Sequence, residues 1–354
     1  MNFFKHLVLA GCLLLTLPAC ATAAETGAAK PAFVPGNVPL QEEMHYLTPA
    51  QLAEEENLLA ILWVQRSAEF RGLCYQAYNM AAMEVDRAVA RRKQEEKELR
   101  EKRSGQAAPP RPLAVVLDID DTIVSHAPLE MYYLEHPEAK ADYNAWNQWI
   151  ARHKTLLPGA VDFMKHARTK GVQVFYVTGR GPQDKEVTLG FLREAGLPFA
   201  EETHLLMNDR SGSKMNHFTK LGRRYNIICY IGDNVADFPI DARREENEIK
   251  YREEENAVNE NSSVNNNSEL KTVKQNDVKI RQPLPLDIRA MLKHDKNKKR
   301  NAKADANQKA FGAKFILLPN PMYGDWEYNL AKKYRSLPAE QRIALRKAAV
   351  KSLF

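Results

Sequence analysis

Four short apolar runs are spaced along the chain, and each ends in polar residues. The runs occupy residues 113–117, 172–177, 227–231 and 314–318. They consist mostly of Val, Ile, Leu and aromatic residues without regular polar alternation, which is typical of strands buried on both faces of a parallel sheet. Longer segments with helical spacing of apolar residues separate the runs. This order predicts an α/β fold with a doubly wound, mostly parallel sheet.

A long helical segment precedes the first run. A helix-start signal stands at Thr48, and the helical stretch is predicted to continue to about Arg103. Its apolar residues at helical spacing are Leu52, Leu59, Leu62 and Trp63. Residues 48–112 are therefore predicted to form an N-terminal helical segment with its connection to the sheet, and a final helix is predicted after Pro338.

Three carboxylates follow the first apolar run. Asp118, Asp120 and Asp121 come directly after it. Side chains alternate along a strand, so Asp118 and Asp120 should point in the same direction. Two adjacent carboxylates repel each other, and such a pair usually persists where a cation or a shared proton reduces the repulsion. The alternative is an acidic turn that caps the next helix.

The ends of the next two runs supply matching polar residues. Thr178 and Arg180 follow the second run, Asp233 and Asp237 follow the third, and Lys214 stands at the start of a predicted helix between them. Taken singly, these residues fit a strand-end turn, helix caps and a surface lysine. The carboxyl ends of parallel strands meet at one edge of an open sheet, where ligands bind. The ordered set therefore favours a functional site.

The motifs together resemble one known family. The segments that carry the resemblance lie at residues 118–122 (DIDDT), 157–163 (LPGAVDF), 232–238 (GDNVADF) and 315–326 (FILLPNPMYGDW). They look like segments of the class C acid phosphatases of the haloacid dehalogenase superfamily, whose bacterial members include outer-membrane lipoprotein 5′-nucleotidases. The resemblance covers residues 40–240 and 310–335, approximately. It implies a Mg²⁺-dependent phosphomonoesterase that hydrolyses nucleoside monophosphates and aryl phosphates.

The resemblance implies a role for each polar strand end. Asp118 is the expected nucleophile, which attacks phosphorus and forms an aspartyl-phosphate. Asp120 is the expected general acid for the leaving group and general base for the attacking water. Thr178 is expected to donate to a phosphoryl oxygen, and Lys214 to add positive charge. Asp121 stands where the family more often has Glu, and its expected role is structural.

The same resemblance implies a magnesium site. Mg²⁺ takes oxygen ligands in octahedral geometry and keeps several waters. The implied protein ligands are the Asp118 carboxylate, the Asp120 backbone carbonyl and the Asp233 carboxylate. Asp237 is expected either to hold a metal-bound water or to orient Lys214.

Aromatic residues between the first two runs predict the substrate pocket. Residues at about 123–157 match the place where related phosphatases carry a cap over the site. Trp146 is expected in the pocket, because class C relatives stack an aromatic leaving group on aromatic side chains, and Tyr323 is the candidate for the opposite wall. Trp149 shares a helix face with Trp146 and either packs the cap onto the body or joins the pocket. Two further candidates for contacts with the substrate or around the site are Arg180 and His217.

Composition limits the partners. The chain has 354 residues and 44% hydrophobic residues, enough to bury a core, and its 51 basic and 45 acidic residues give a net charge of only +6. This balance is no argument for a nucleic acid polymer as partner. Small phosphomonoesters are the expected partners, and a dimer is left open as the oligomeric state. Cys74 and Cys229 are predicted to be buried thiols.

Residues 241–310 depart from the family pattern. Residues 241–270 carry 4 basic and 9 acidic residues, whereas residues 271–310 carry 12 basic and 4 acidic residues. Such a charged and Asn-rich composition cannot bury enough apolar surface to offset the entropy lost when a chain becomes ordered. We therefore predict a disordered charged insertion, which leaves residues 113–240 and 311–354 as the phosphatase core.

The N-terminus has the pattern of a lipoprotein signal. A short apolar run, too short to span a bilayer, is followed by the sequence LPAC, which ends at Cys20 and resembles a lipoprotein processing site. Lipidation of Cys20 predicts a signal peptide at residues 1–19, a tether at 20–47 and a membrane-anchored protein of the outer membrane or periplasm. Cys12 is a rival site, and ordinary cleavage near residues 21–23 would release a soluble periplasmic protein.

Two functional alternatives stay open. One is a phosphotransferase that passes the phosphoryl group from Asp118 to an alcohol. The other is a surface lipoprotein that binds a partner without catalysis. The presence of Asp118, Asp120, Thr178, Lys214 and Asp233 argues for an enzyme.

Overall fold

The computed structural model describes residues 48–101, 110–136, 139–140, 146, 148–149, 155–208, 213–240 and 288–350. Within these ranges, five parallel strands form one sheet in the order β3-β2-β1-β4-β5. The strands are β1 Leu113–Leu117, β2 Gln173–Val177, β3 Leu205–Leu206, β4 Asn226–Gly232 and β5 Phe315–Leu317. Four of them lie within one residue of the apolar runs, so the predicted α/β fold with a parallel sheet is confirmed.

Strand β1 is central and all five of its residues are buried. Val115 and Leu117 belong to the core on one face of the sheet, and Ala114 and Val116 belong to the core on the other face. Because both faces are covered, neither set of alternating positions can be polar. This is why the run reads as continuously apolar in the sequence.

Helices cover the two faces of the sheet. The helices of the described ranges are α1 Pro49–Glu55, α2 Leu58–Arg66, α3 Ala68–Glu101, α4 Ala127–Glu135, α5 Ala160–Thr169, α6 Lys185–Glu194, α7 Met215–Arg224, α8 Ile288–Leu292, α9 Asn297–Ala306, α10 Asp325–Tyr328 and α11 Ala339–Ala349. The 34-residue helix α3 and helix α5 contribute to the core that contains Val115, whereas α7 contributes to the opposite core. Helix α11 matches the predicted final helix.

The N-terminal segment differs from the predicted single helical stretch. It forms α1, α2 and α3, and Ser67 separates the last two with extended backbone. Leu52, Leu59 and Leu62, which indicated the helix, are 42%, 77% and 52% exposed, whereas Ile61 is buried. In α2 the buried face contains Ile61 and Val64, so the leucines that indicated this helix lie on its exposed side.

The prediction of disorder for residues 241–310 is wrong for residues 288–310. These residues form α8, α9 and a short 3₁₀ turn. Ile288, Met291 and Leu292 of α8 pack against the cluster formed by Leu330, Ala331, Tyr334 and Leu345. The charged composition of the whole segment concealed these three apolar residues. Residues 241–287 lie outside the described residues.

Several N-terminal predictions fall outside the described ranges. Residues 1–47 include the predicted signal peptide, Cys20 and the tether, and none of them is described. Among the described helices, none combines the length and the apolar character needed to cross a membrane. Cys74 and Cys229 are both buried and free, so the prediction of buried thiols is confirmed.

Candidate active site

The predicted site residues converge at the carboxyl end of the sheet. Asp118 follows β1, and its backbone N–H donates to the carbonyl of Ile231 in β4 at 2.9 Å. Asp233 follows β4 directly, and Thr178 follows β2. Lys214 is the N-cap residue of α7, as its predicted place at a helix start required. The pairing of three adjacent strands therefore brings together residues more than 100 positions apart.

Asp118, Asp233 and Asp237 form a carboxylate cluster. One oxygen from each residue lies within 4.8 Å of the others. Lys214 Nζ contacts Asp118 Oδ1 and lies 2.7 Å from Asp237 Oδ1. A Cβ atom at Gly232 would collide with the Asp237 carboxylate, so the last residue of β4 must be glycine for Asp237 to reach the cluster.

Negative charge exceeds positive charge in the carboxylate cluster. Burial, reinforced by Asp237 and Asp120, raises the pKa of Asp118 to about 7 although Lys214 opposes the change. Burial and the charges of Asp237 and Asp118 also raise the pKa of Asp233. Burial by itself lowers the pKa of Lys214, but Asp118 and Asp237 outweigh it and raise that pKa. Three oxygen donors with excess negative charge fit a divalent metal ion.

Asp237 contacts both Lys214 and the backbone that follows β4. Its Oδ1 lies 2.7 Å from Lys214 Nζ, and its Oδ2 accepts a hydrogen bond from Asn234 N at 2.9 Å. Its predicted role, to hold a metal-bound water or to orient Lys214, stays a prediction. Its carboxylate is also near enough to Asp118 and Asp233 to share a metal ion with them.

Asp120 has different partners, although it follows the same strand as Asp118. Arg180 Nε lies 3.1 Å from both Asp120 oxygens, and Arg180 Nη2 lies 2.6 Å from Oδ1. His126 Nε2 lies 2.8 Å from the same Oδ1. Burial by itself raises the pKa of Asp120, but the positive charges of Arg180 and His126 hold it well below its usual range. Asp120 is therefore ionised in this arrangement.

Arg180 is buried, and its side chain contacts other protein groups. Its side chain is 2% exposed, and Nη1 donates to Thr188 Oγ1 at 3.1 Å. Its backbone N–H donates to Thr178 Oγ1, also at 3.1 Å. Its contacts with Asp120 indicate that it orients this carboxylate, and its predicted contact with the substrate stays a prediction. His217 Nε2 lies 2.8 Å from the Met207 carbonyl oxygen, and its predicted role at the site also stays a prediction.

An aromatic wall formed by Trp146, Trp149, His126 and Tyr323 lies beside Asp120. The two indole rings are stacked with centroids 5.5 Å apart, and the His126 ring lies 5.2 Å from Trp146 and 4.5 Å from Trp149. Tyr323 is 6.0 Å from His126, and the Arg180 guanidinium lies 5.6 Å from the Trp146 ring. Trp149 is 5% exposed, whereas Trp146 is half-buried. Whether Trp149 packs the cap or joins the pocket stays a prediction.

Asp121 and Tyr323 connect two loops. Asp121 has a positive φ of 50°, and its Oδ1 accepts a hydrogen bond from His126 N at 2.9 Å. The Tyr323 hydroxyl donates to Asp121 Oδ2. Asp121 therefore joins the loop after β1 to the loop after β5. Tyr323 combines a place in the aromatic wall with a hydrogen bond that the sequence did not indicate.

Sequence reasoning missed His126 and Asn320. Asn320 Nδ2 donates to Asp233 Oδ2 at 2.9 Å. It lies shortly after β5, so the rule that selected the other strand-end residues could have selected it too. His126 lies eight residues after Asp118, and its sequence position carries no comparable signal, because its contacts depend on where Arg180, Trp149 and Tyr323 arrive in the fold.

Comparisons with known proteins identify the fold and the family. The structure is similar to the class C acid phosphatase from Bacillus anthracis, with a TM-score of 0.60 and 24% sequence identity over 86% of this chain and 100% of that chain. A second structure of the Bacillus anthracis enzyme, with tungstate bound, matches with the same values. At this identity the likeness shows the fold. The family model for the haloacid dehalogenase superfamily, subfamily IIIB (acid phosphatase), matches residues 21–326. The chain therefore belongs to this family of acid phosphatases and is a phosphomonoester hydrolase.

Proposed function

We propose that the protein is a Mg²⁺-dependent phosphatase that hydrolyses nucleoside monophosphates and aryl phosphates through an aspartyl-phosphate on Asp118. The observation that carries the proposal is the separation of two acids that follow one strand. Asp118 lies in the carboxylate cluster with Lys214, whereas Asp120 is held by Arg180 and His126. A nucleophile and a separate acid–base residue are what two-step phosphoryl transfer requires.

The carboxylates of Asp118, Asp233 and Asp237, which converge within 4.8 Å, are the residues that would hold Mg²⁺. The predicted ligand set, with the Asp120 carbonyl in place of the Asp237 carboxylate, remains an alternative. When bound, the ion would screen the repulsion between Asp118 and an anionic substrate and stabilise charge that develops on the phosphoryl group.

The chain's own groups perform two half-reactions. In the first, an Asp118 oxygen attacks phosphorus, the bond between phosphorus and the leaving oxygen breaks, and Asp120 gives a proton to that oxygen. In the second, Asp120 takes a proton from water, the water oxygen attacks phosphorus, and the Asp118–phosphorus bond breaks. Phosphate is released and both aspartates are restored. Lys214 and Thr178 stabilise negative charge on the phosphoryl oxygens.

Asp120 must carry a proton in the first half-reaction. The free site favours its ionised form because Arg180 and His126 are close. A bound phosphate ester brings negative charge to the same place, which offsets these cations and raises the pKa of the carboxyl group. Substrate binding therefore prepares the acid, and departure of the leaving group returns Asp120 to the base form.

The aromatic wall supports a broad preference for aromatic leaving groups. Stacking of a base on an aromatic side chain contributes about 1–3 kcal/mol and tolerates every base. Trp146 offers such a surface, and Tyr323, which lies in the same aromatic wall rather than opposite Trp146, is the proposed second surface. Small aliphatic esters such as glycerol phosphate should therefore be slower in kcat/KM by roughly one to two orders of magnitude.

Activity after chelation tests the proposal. The protein is treated with EDTA and assayed with AMP, phenyl phosphate and glycerol phosphate, with and without added Mg²⁺. Chelation should abolish hydrolysis and Mg²⁺ should restore it, with both aromatic substrates preferred. Full activity after exhaustive chelation contradicts the metal role. Equal kcat/KM values for the three substrates contradict the stacking hypothesis, and phosphorylated nucleoside formed in excess nucleoside would favour the phosphotransferase.

The proposed location is the cell envelope, with an anchor at Cys20. The support is the sequence LPAC that ends at this residue after a short apolar run. A Cys20→Ser precursor should fail to incorporate labelled fatty acid, and a Cys12→Ser precursor should be labelled normally. The opposite result would move the anchor to Cys12. Absence of label from the wild-type precursor would favour ordinary cleavage.

A further inference from the structure

His126 is buried where the loop after β1 meets helix α4. It is the residue before α4, it is 6% exposed, and its backbone N–H is held by Asp121 Oδ1. Both ring nitrogens have partners: Nε2 lies 2.8 Å from Asp120 Oδ1, and Nδ1 lies 3.1 Å from the Tyr323 hydroxyl oxygen. The rings of Trp146 and Trp149 meet its ring in T-shaped contacts. Hydrogen bonds and ring contacts on several sides therefore fix the orientation of this imidazole.

The contact with His126 restricts the direction in which the Asp120 carboxylate points. Arg180 holds both Asp120 oxygens through one side chain, and its guanidinium is itself held by Thr188 Oγ1. His126 adds a second donor from another element, at the oxygen that also accepts from Arg180 Nη2. An ionised carboxylate only accepts hydrogen bonds, so Nε2 is the donor here. Two donors on separate elements restrict the rotation of the Asp120 side chain.

We infer that His126 is a positioning residue that holds Asp120 in the direction needed for proton transfer to the leaving oxygen and couples this direction to the aromatic wall. The inference rests on the proposed function, in which Asp120 is the acid and Trp146 carries the leaving group. The imidazole contacts both Asp120 and Trp146, so it keeps the proton donor at a constant place relative to the leaving group. Misplacement of a catalytic group by about 1 Å can cost 10²-fold in rate.

Leaving-group dependence separates this role from a structural one. Phenyl phosphate and p-nitrophenyl phosphate present similar rings to Trp146, but p-nitrophenolate is a much weaker base than phenolate and departs without a proton. Because kcat/KM reports the steps up to phosphorylation of Asp118, it is sensitive to the acid. His126→Ala should lower kcat/KM for phenyl phosphate and AMP by about 10-fold to 100-fold. It should lower the value for p-nitrophenyl phosphate by less than roughly threefold.

Two amide variants test which nitrogen matters. The amide of Gln reaches the place of Nε2, whereas that of Asn reaches only the place of Nδ1. His126→Gln should recover most of the activity with phenyl phosphate, because it restores a donor to Asp120, and His126→Asn should resemble His126→Ala. The matched control is His204→Gln. His204 is also buried, lies between the rings of Phe175 and Phe199, and bonds Gln173 at the start of β2, away from the site.

Each outcome decides the inference. Three results together support the inference. Activity recovers in His126→Gln but not in His126→Asn, His126→Ala loses activity selectively with phenyl phosphate, and His204→Gln shows no such selectivity. Equal losses for both aryl phosphates, or equal activity of the Gln and Asn variants at matched thermal stability, overturn the inference and leave His126 with a packing role. A wild-type protein that hydrolyses none of the three esters with Mg²⁺ present contradicts the proposed function itself, which distinguishes that failure from failure of the inference.

Discussion

Asp118 and Asp120 follow the same strand two residues apart, yet they occupy opposite electrostatic regions. The region of Asp118 contains three carboxylates around one lysine, and the pKa of Asp118 is raised to about 7, chiefly by burial. In the region of Asp120, one carboxylate meets Arg180 and His126, whose charges outweigh burial and hold its pKa well below the usual range. The first region has the oxygen ligands to bind a metal ion beside Lys214, whereas the second pairs one carboxylate with two basic side chains.

The difference shows that position in the motif does not decide chemical role. The side chains of the two aspartates leave one strand end, but Asp118 meets Lys214 at the start of α7 and the carboxylates that follow β4. Asp120 instead meets residues from the loops after β2 and β1. A nucleophile must present an oxygen to phosphorus beside screening positive charge, and an acid–base residue must exchange a proton during each turnover. Separate partners allow both requirements to be met by the same residue type.

The largest expected effect is the loss of the nucleophile. Asp118→Asn keeps the size of the side chain but replaces the nucleophilic carboxylate with a neutral amide, so kcat should fall by at least ~10⁴-fold for every phosphate ester, whatever its leaving group. Steady-state rates measured together with thermal unfolding check this. Substantial activity in a preparation free of wild-type protein would remove Asp118 from the covalent step.

Asp120→Asn should show a loss that depends on the substrate. Without the proton donor, kcat/KM for AMP should fall by about 10²–10⁴-fold. The loss for p-nitrophenyl phosphate should be smaller, because its leaving group needs no proton. The measurement is the ratio of the two kcat/KM values in wild type and variant. An unchanged ratio would remove the distinction between the two aspartates.

Lys214→Met should lower both the rate of catalysis and the thermal stability of the protein. Loss of the ammonium that stabilises phosphoryl oxygens should lower kcat by about 10²–10³-fold. Asp118 and Asp237 also lose a common partner, so the melting temperature should fall further in EDTA than in Mg²⁺, where a bound cation replaces part of the lost charge. Thermal unfolding in both buffers measures this. Equal decreases would show that Mg²⁺ does not share the cluster.

The smallest expected effect concerns the aromatic wall. Trp146→Ala should lower kcat/KM for AMP and phenyl phosphate by about one order of magnitude, the lower part of the range for loss of one stacking surface, and should change the value for glycerol phosphate little. The three kcat/KM values are compared between wild type and variant, with thermal stability as the control. A uniform decrease would indicate that Trp146 supports the cap without contacting the leaving group.

Much of the fold was predictable because it depends on local patterns. Strands buried on both faces must be apolar at every position, so β1 and β4 appear as apolar runs, and polar residues cluster where these strands end. The same reasoning failed for Leu52 and Leu59, whose spacing is helical although they are exposed. The buried side of a helix depends on its neighbours, and the breaks between α1, α2 and α3 were not apparent in the spacing.

The sequence by itself determined the order of the strands along the chain, the apolar character of the sheet and the place of Asp118, Asp120, Thr178 and Asp233 at strand ends. Only the tertiary structure decided the partners of these residues. Lys214 reaches Asp118 across 96 positions, and Arg180 reaches Asp120 across 60 positions. Hydrogen bonds and charge effects act over a few ångströms, so they depend on which loops converge in space, and a linear pattern does not contain that distance.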